Sequence, residues 1–132
     1  MARTIRCRVI SRGRAKGEAL VSNASISFFG GVDPSTGTVI DKKHPLFNRS
    51  IAGKILVFTT GKGSTVGSYI LYQLAKNGKA PIGIICKEAE PIVAVGAIMG
   101  SIPMVDQPDT FDFKDGQIVA IDGYNGLILV ED

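Results

Sequence analysis

Gly61-Lys62-Gly63-Ser64 is a short glycine-rich turn carrying one cation and one hydroxyl, and Thr65-Val66-Gly67-Ser68 extends it with two more hydroxyls. The hydrophobic run Ile55 to Thr60 before it reads as a buried strand. Ser68-Tyr69-Ile70-Leu71-Tyr72-Gln73-Leu74-Ala75-Lys76 after it has helical apolar spacing. A glycine-rich turn between a strand and a helix gathers unpaired backbone N–H groups and the positive end of a helix dipole around one point. Ser64 falls at that point, at or near the N-cap. Gly63 and Thr65 flank it, and Lys62 supplies charge. Such a place can hold an anion or raise the acidity of a hydroxyl.

The known phosphate and nucleophile motifs do not fit. A Walker A loop has Lys and then Ser or Thr after its last glycine, whereas Lys62 here precedes Gly63-Ser64. The G-x-S-x-G elbow is absent, because Lys62-Gly63-Ser64-Thr65-Val66 lacks glycines in register. A Ser–His–Asp triad would need His44, the single histidine, whose place before Pro45 suits a loop residue bonded to backbone. Ser64 also has a plain structural role open to it, as an N-cap accepting a backbone N–H. Thr60, Thr65 and Ser68 have the same alternative. Asp33, in Asp-Pro-Ser-Thr-Gly, is expected to close a turn through its own side chain.

Two cysteines, Cys7 and Cys86, and one histidine lie far apart in sequence and do not make a zinc site by spacing. Nor can two thiols hold an iron–sulfur cluster alone, since clusters take three or four. Both cysteines read as small buried residues on strands. Arg3, Arg6, Arg8, Arg12, Arg14 and Lys16 all precede Glu18, the first acidic residue. That cluster reads either as a solvated strand face plus a basic turn or as an anion- or partner-binding surface. It has no aromatic interleaving, so nucleic acid is not expected.

At 132 residues, 45% hydrophobic and 20% charged, the chain is expected to form one packed domain over 1–132. Met1 to Arg6 has no apolar leader core, and Ile92 to Met99 is too short to span a bilayer, so the expectation is a cytoplasmic protein without a membrane partner. Ile5, Cys7 and Val9 alternate with Arg6 and Arg8 as in a half-buried strand, Arg12 to Gly17 reads as a turn, and Glu18 to Ser22 as a second strand. Ile26 to Phe29 is short and apolar. Val39 to Asp41 reads as a short strand and Lys42 to Ser50 as an irregular loop. Lys54 to Thr60, the Ser64 helix and Ile82 to Cys86 make a strand–helix–strand unit, parallel and right-handed, with Gly78 and Pro81 as the helix stop. Glu90 to Met99 predicts a second helix, Ile102 to Asp106 returns to the sheet, and Gly123-Tyr124-Asn125-Gly126 joins the strands Gln117–Asp122 and Leu127–Val130 as a hairpin. The fold class is α/β: a layered β/β/α domain with a barrel-like antiparallel part at both ends and the strand–helix–strand unit in the centre.

Two blocks carry a family likeness. Ser27-Phe28-Phe29-Gly30-Gly31-Val32-Asp33-Pro34-Ser35-Thr36-Gly37, followed by Asp41 and His44-Pro45, and the stretch Gly61 to Tyr69 resemble the small, swivelling-domain subunit of aconitase X dehydratases, over essentially the whole chain. The resemblance implies a swivelling domain that works with a large partner subunit as a heterodimer. It implies that the partner carries a 4Fe-4S cluster and most of the substrate site, and that the small chain supplies a serine as catalytic base. Carried onto this sequence that serine is Ser64, with Ser68 a second serine in the same motif. The implied reaction is dehydration of a small phosphorylated hydroxy acid, (R)-5-phosphomevalonate, to a trans-anhydromevalonate phosphate in an archaeal mevalonate pathway. From their charge, and not from the resemblance, Lys62, Arg12 or Arg14 are the candidates to hold the phosphate. A hydroxyproline is the alternative substrate. A non-catalytic reading also stands, a swivelling phosphate-carrier or regulatory module, though a phosphohistidine carrier needs a histidine at an exposed helix tip.

Overall fold

The structure, a computed structural model, describes residues 2–60 and 65–131, and the side chains of all of these except residues 65 and 66. Among the described residues the element order is β1 (Ala2–Arg6), β2 (Arg8–Ser11), β3 (Arg14–Val21), β4 (Ile55–Phe58), α1 (Thr65–Lys76), β5 (Gly83–Cys86), α2 (Pro91–Met99), β6 (Met104–Asp106), β7 (Ile118–Asp122) and β8 (Leu127–Glu131). They form one eight-stranded sheet in the order β1-β8-β7-β3-β4-β5-β6-β2.

The middle of the sheet is parallel: β3 pairs β4, β4 pairs β5, and β5 pairs β6, with residues 22–54, α1 and α2 as the respective crossovers. Every residue of β4, β5 and β6 is buried, as expected of parallel strands covered on both faces. Alternation divides them between two cores. Leu56, Phe58, Ile84, Cys86 and Met104 face α1 and α2 together with Leu71, Leu74 and Ala97. Ile55, Val57, Ile85 and Val105 face the opposite way, toward Ile5, Val119, Ile121, Ile128 and Val130.

That second core exists because the sheet curls. β1 and β2 are the two edges of the strand order, yet only Cys7 separates them in the chain, so the edges are drawn together. The antiparallel part is therefore barrel-like without a ladder that closes. One continuous strand was expected around Ile5 to Val9; instead the chain breaks at Cys7, with β1 paired to β8 and β2 to β6.

The turn expected at Arg12 to Gly17 is corrected as well. Only Gly13, at φ 143°, bends, and Arg14 already begins β3, paired through Glu18 with β7. The inward positions are the small residues Ala15, Gly17 and Ala19, which do not register as a hydrophobic run. Gly17 lies against the Ile82 side chain, whose Cδ1 a Cβ there would push aside from 2.8 Å. The short strand expected at Val39–Asp41 is no more than isolated bridges, Val32 with Val39 and Thr38 with Ser50. Residues 22–54 form a lobe whose Ile26, Phe28, Val32, Val39, Leu46 and Ile51 pack into the core beside α1.

α1 starts at Thr65, a turn earlier than the apolar spacing alone marks. It ends as expected: Gly78 has φ 68°, and the Lys79 N–H reaches back to the Leu74 carbonyl at 2.9 Å. α2 starts under Glu90, whose carboxylate accepts from the N–H groups of Ile92 and Val93 at 3.0 Å. The hairpin is where the glycines put it, with the Asp122 carboxylate accepting from the N–H groups of Tyr124 and Asn125.

Candidate functional site

In a parallel sheet the open ends of backbone and helix meet at the carboxyl ends of the strands, and ligands collect there. Here that place is where β4, β5 and β6 stop. Thr59, Thr60, Lys87, Glu88 and Gln107 line a cleft of about 420 Å³ at those ends. α1 begins beside it, so its N–H groups open on the same side.

The sequence-predicted residues Lys62, Gly63 and Ser64 lie outside the described residues, as does the side chain of Thr65. What the structure describes is the frame that carries them. On the incoming side, the Lys87 N–H donates to the carbonyls of Phe58 (3.2 Å) and Thr59 (3.0 Å), and the Glu88 N–H to Thr59 (3.1 Å). The Ile26 N–H donates to the Thr60 carbonyl at 3.2 Å, tying the 22–54 lobe to the same point. On the outgoing side, the first turn of α1 rests against Gly96 of α2, where a Cβ would sit 3.0 Å from Ser68 Cα. The segment between Thr60 and Thr65 is thus spanned between two fixed points.

Arg12 and Arg14 are not brought to this place. Arg14 stands at the start of β3, a strand of 8 residues and hence roughly 26 Å long, whose other end lies beside β4's exit. It lines a separate cleft with Ala75, Gly78 and Gly100, past the C-terminal ends of α1 and α2. Its guanidinium lies 5.2 Å from the Tyr124 ring centroid and 3.8 Å from the Asp122 carboxylate. Arg12, exposed and next to Gly13, shares that end.

His44 is a structural residue. Its Nε2–H donates to the Ser25 carbonyl at 3.1 Å, and its Nδ1 accepts from the Leu46 N–H at 3.1 Å. Both ring nitrogens are used, which fixes the neutral tautomer and ties residue 44 to the start of the lobe. Asp33 closes its turn as expected, its Oδ1 accepting from the Ser35 hydroxyl (2.7 Å) and N–H (2.9 Å). The Ser35 hydroxyl bond, then its N–H, holds the carboxyl below its ordinary value.

Neither thiol suits a cluster. Cys86 lies in the core with its Sγ 3.9 Å from the Val105 carbonyl, and burial first, then Asp106, pushes it up to about 12. Burial, then Asp106, Asp109 and Asp122, pushes Cys7 up to about 11. A cluster takes three or four thiolate ligands, and these two thiols pack in different cores, Cys86 in the one under α1 and α2 and Cys7 against the other. Among the described residues no group of three His, Cys, Asp or Glu is placed to hold a metal ion. No described helix is long and apolar enough to cross a membrane.

One pair at this end of the sheet was not anticipated from sequence. Asp106, the last residue of β6, is fully buried, and Arg8 at the start of β2 grips it with two bonds of 2.8 Å. Nothing in the sequence marks it, because the partners are 98 positions apart.

Residues 4–130 match the family model described as the aconitase X swivel domain. The chain is 64% identical over 125 residues to the phosphomevalonate dehydratase small subunit of Methanothermobacter thermautotrophicus, covering 92% of this chain and 95% of that one. It is 53% identical over 125 residues to the subunit of the same name from Thermococcus sibiricus, covering 95% and 96%. The crystal structure of Thermococcus kodakaraensis aconitase X in its holo-form superposes with a TM-score of 0.95 at 51% identity, covering 98% of this chain and 99% of that one.

Proposed function

Since this chain belongs to the aconitase X swivel-domain family, we propose that it is the small subunit of a phosphomevalonate dehydratase, and that Ser64 is the base of the reaction. The observation that carries the substrate is the 64% identity, across nearly the full length of both chains, to a relative bearing that name. The reaction removes a proton from C2 and the hydroxyl from C3 of (R)-5-phosphomevalonate. In this reading the large subunit binds most of the substrate and holds the iron–sulfur cluster, for which the two thiols of this chain are too few ligands.

The chemistry asked of Ser64 can be sized. Ionising an alcohol near neutral pH takes several units of pKa depression, at about 1.4 kcal/mol each. A helix N-terminus supplies about 0.3–2 kcal/mol. The dipole of α1 therefore falls short by itself. In this reading Lys62 supplies a cation and the loop its N–H groups, and exclusion of water by the large subunit would make each of these count for more. Ser64 is an ordinary hydroxyl in the free subunit and becomes a base in the assembled enzyme. Arg12 and Arg14, at the far end of α1, take no part.

The test is reconstitution. The purified small chain and its cluster-loaded large subunit are assayed separately and mixed, with (R)-5-phosphomevalonate and with a hydroxyproline. Turnover of phosphomevalonate by the mixture, and by neither chain alone, is expected. Turnover of hydroxyproline in its place would overturn the substrate, and turnover by the large subunit alone would overturn the catalytic role of this chain.

A further inference from the structure

Asp106 is a fully buried carboxylate, and such a group is costly unless every lone pair is used. Its oxygens accept three bonds of 2.8 Å: from Arg8 Nε, from Arg8 Nη2 and from the backbone N–H of Ala89. The Gln107 N–H adds a bond of 3.1 Å to the Lys87 carbonyl. Together these bonds fix the turn of residues 87–89 between β5 and α2. That turn donates three N–H bonds to the Phe58 and Thr59 carbonyls, at the root of the serine-bearing segment. A continuous line of short bonds therefore runs from Arg8 through Asp106 and the 87–89 turn to Thr59.

Stability alone does not account for such a pair, because well-packed apolar residues of similar volume often serve as well or better. What an apolar pair cannot do is accept the Ala89 N–H. We propose that Arg8 and Asp106 are positioning residues for the reaction: they set the 87–89 turn, and through it the place of Thr59 and the segment carrying Ser64. The planar guanidinium is needed for this, since it engages both carboxylate oxygens and holds the carboxylate plane at one angle, which a lysine does not. Arg8 is not a phosphate anchor, because its charge is already compensated by Asp106. The proposal rests on the reading of Ser64 as base, and the experiment separates the two.

Four variants are measured in the reconstituted enzyme: Asp106→Asn, Arg8→Lys, the paired replacement Arg8→Met with Asp106→Leu, and Ser64→Ala. The paired replacement removes both charges together, so that no buried charge is left unpaired, and guards against a result due to misfolding. It is expected to unfold at a denaturant concentration close to wild type and to bind the large subunit as tightly. Its KM for (R)-5-phosphomevalonate should stay within about threefold while kcat falls at least tenfold, the scale on which small misplacements of a reacting group act. Asp106→Asn, which keeps an acceptor for Ala89 but loses the charged pair, should fall between. Arg8→Lys should recover little. Wild-type kcat in a stable paired replacement would overturn the proposal, as would a loss confined to stability or to binding of the large subunit. Near-normal turnover by Ser64→Ala would overturn the base reading instead, and the paired replacement would still be judged by its own kcat.

Discussion

Gly96 of α2 and Ser68 of α1 meet backbone to backbone: a Cβ on Gly96 would stand 3.0 Å from Ser68 Cα and 3.0 Å from its carbonyl oxygen, with Leu71 Cβ at 3.2 Å. The contact falls at the first turn of α1, where the helix leaves the segment holding Ser64. At the other end of the same helix pair, a Cβ on Gly100 would meet the side chain of Ala75 at 3.0 Å. The two glycines let α1 and α2 pack closely along their length. Gly96 touches backbone, which cannot swing aside; Gly100 meets chiefly a methyl group.

Gly96→Ala should therefore move the first turn of α1 by some tenths of an ångström. Overpacking of this kind costs about 1–3 kcal/mol, and alanine returns about 1 kcal/mol of helix propensity. A net loss of about 0–2 kcal/mol in urea unfolding is expected. The larger effect should be on turnover in the reconstituted enzyme, tenfold or more, with binding of the large subunit little changed. Gly100→Ala, at the far end, is the control. Equal turnover by the two variants would show that the contact does not position the site.

The central unit could be read from sequence because its signals are local. The apolar runs of β4 and β5, the 3.6-residue spacing of α1, Pro91 under α2 and the Gly123–Gly126 turn each need only a short window. The features that were not legible depend on partners far along the chain. β3 was half missed because Ala15 and Gly17 are small to suit Ile82 and the sheet's curl, not because they form a turn. The edges at β1 and β2 could not be told from one strand, since their separation is set by β8 and β6. Asp106 is fixed by Arg8, 98 positions away, a partner no local window contains. The glycine-rich segment is plain from its composition, but nothing local marks the bonds from Lys87 and Glu88 that hold its root.

His44 offers a test of a residue that sequence alone leaves open as a base. Both ring nitrogens are committed to backbone groups. His44→Ala should leave the Leu46 N–H and the Ser25 carbonyl without these partners, costing about 1–3 kcal/mol if they stay dry. Turnover of the assembled enzyme, measured at a temperature where the variant is folded, should fall less than threefold. A loss of a hundredfold or more there would give His44 a direct part in the chemistry.

The thiols make an alkaline prediction. Cys86 is pushed from 9.0 to about 12 by burial, so its protonated form is favoured in the folded chain. The associated stability is complete below pH 9, the unfolded value, and is lost as pH rises toward 12, because the unfolded chain ionises first. The slope approaches about 1.4 kcal/mol per pH unit inside that window. Urea unfolding of wild type and Cys86→Ala at pH 7.5, 9 and 10.5 should show the variant less stable at pH 7.5 and the gap narrowing above pH 9. Parallel curves would contradict the shift. Alkylation of the folded chain at pH 8 should be slow at both cysteines.

Ser64 is the residue on which the proposed chemistry turns, and its two roles differ in what they cost. Ser64→Ala removes the hydroxyl on which both roles, helix cap and proton acceptor, would depend. As a cap alone it should cost about 0.5–2 kcal/mol of stability and leave turnover nearly intact once the complex has formed. As the base it should cost about 10²–10⁴-fold in rate. Ser64→Gly separates the two, because glycine weakens a cap by only a few tenths of a kcal/mol. The expected outcome is a Ser64→Gly enzyme that unfolds like wild type, binds its large subunit and the phosphorylated substrate, and turns over at least a hundredfold more slowly. Ser68→Ala is the companion measurement. Ser68 stands a turn along α1 with its backbone packed on Gly96, so its replacement should leave turnover within threefold. Near-normal dehydration by Ser64→Gly would remove Ser64 from the mechanism, and a dead Ser68→Ala beside it would move the base to Ser68.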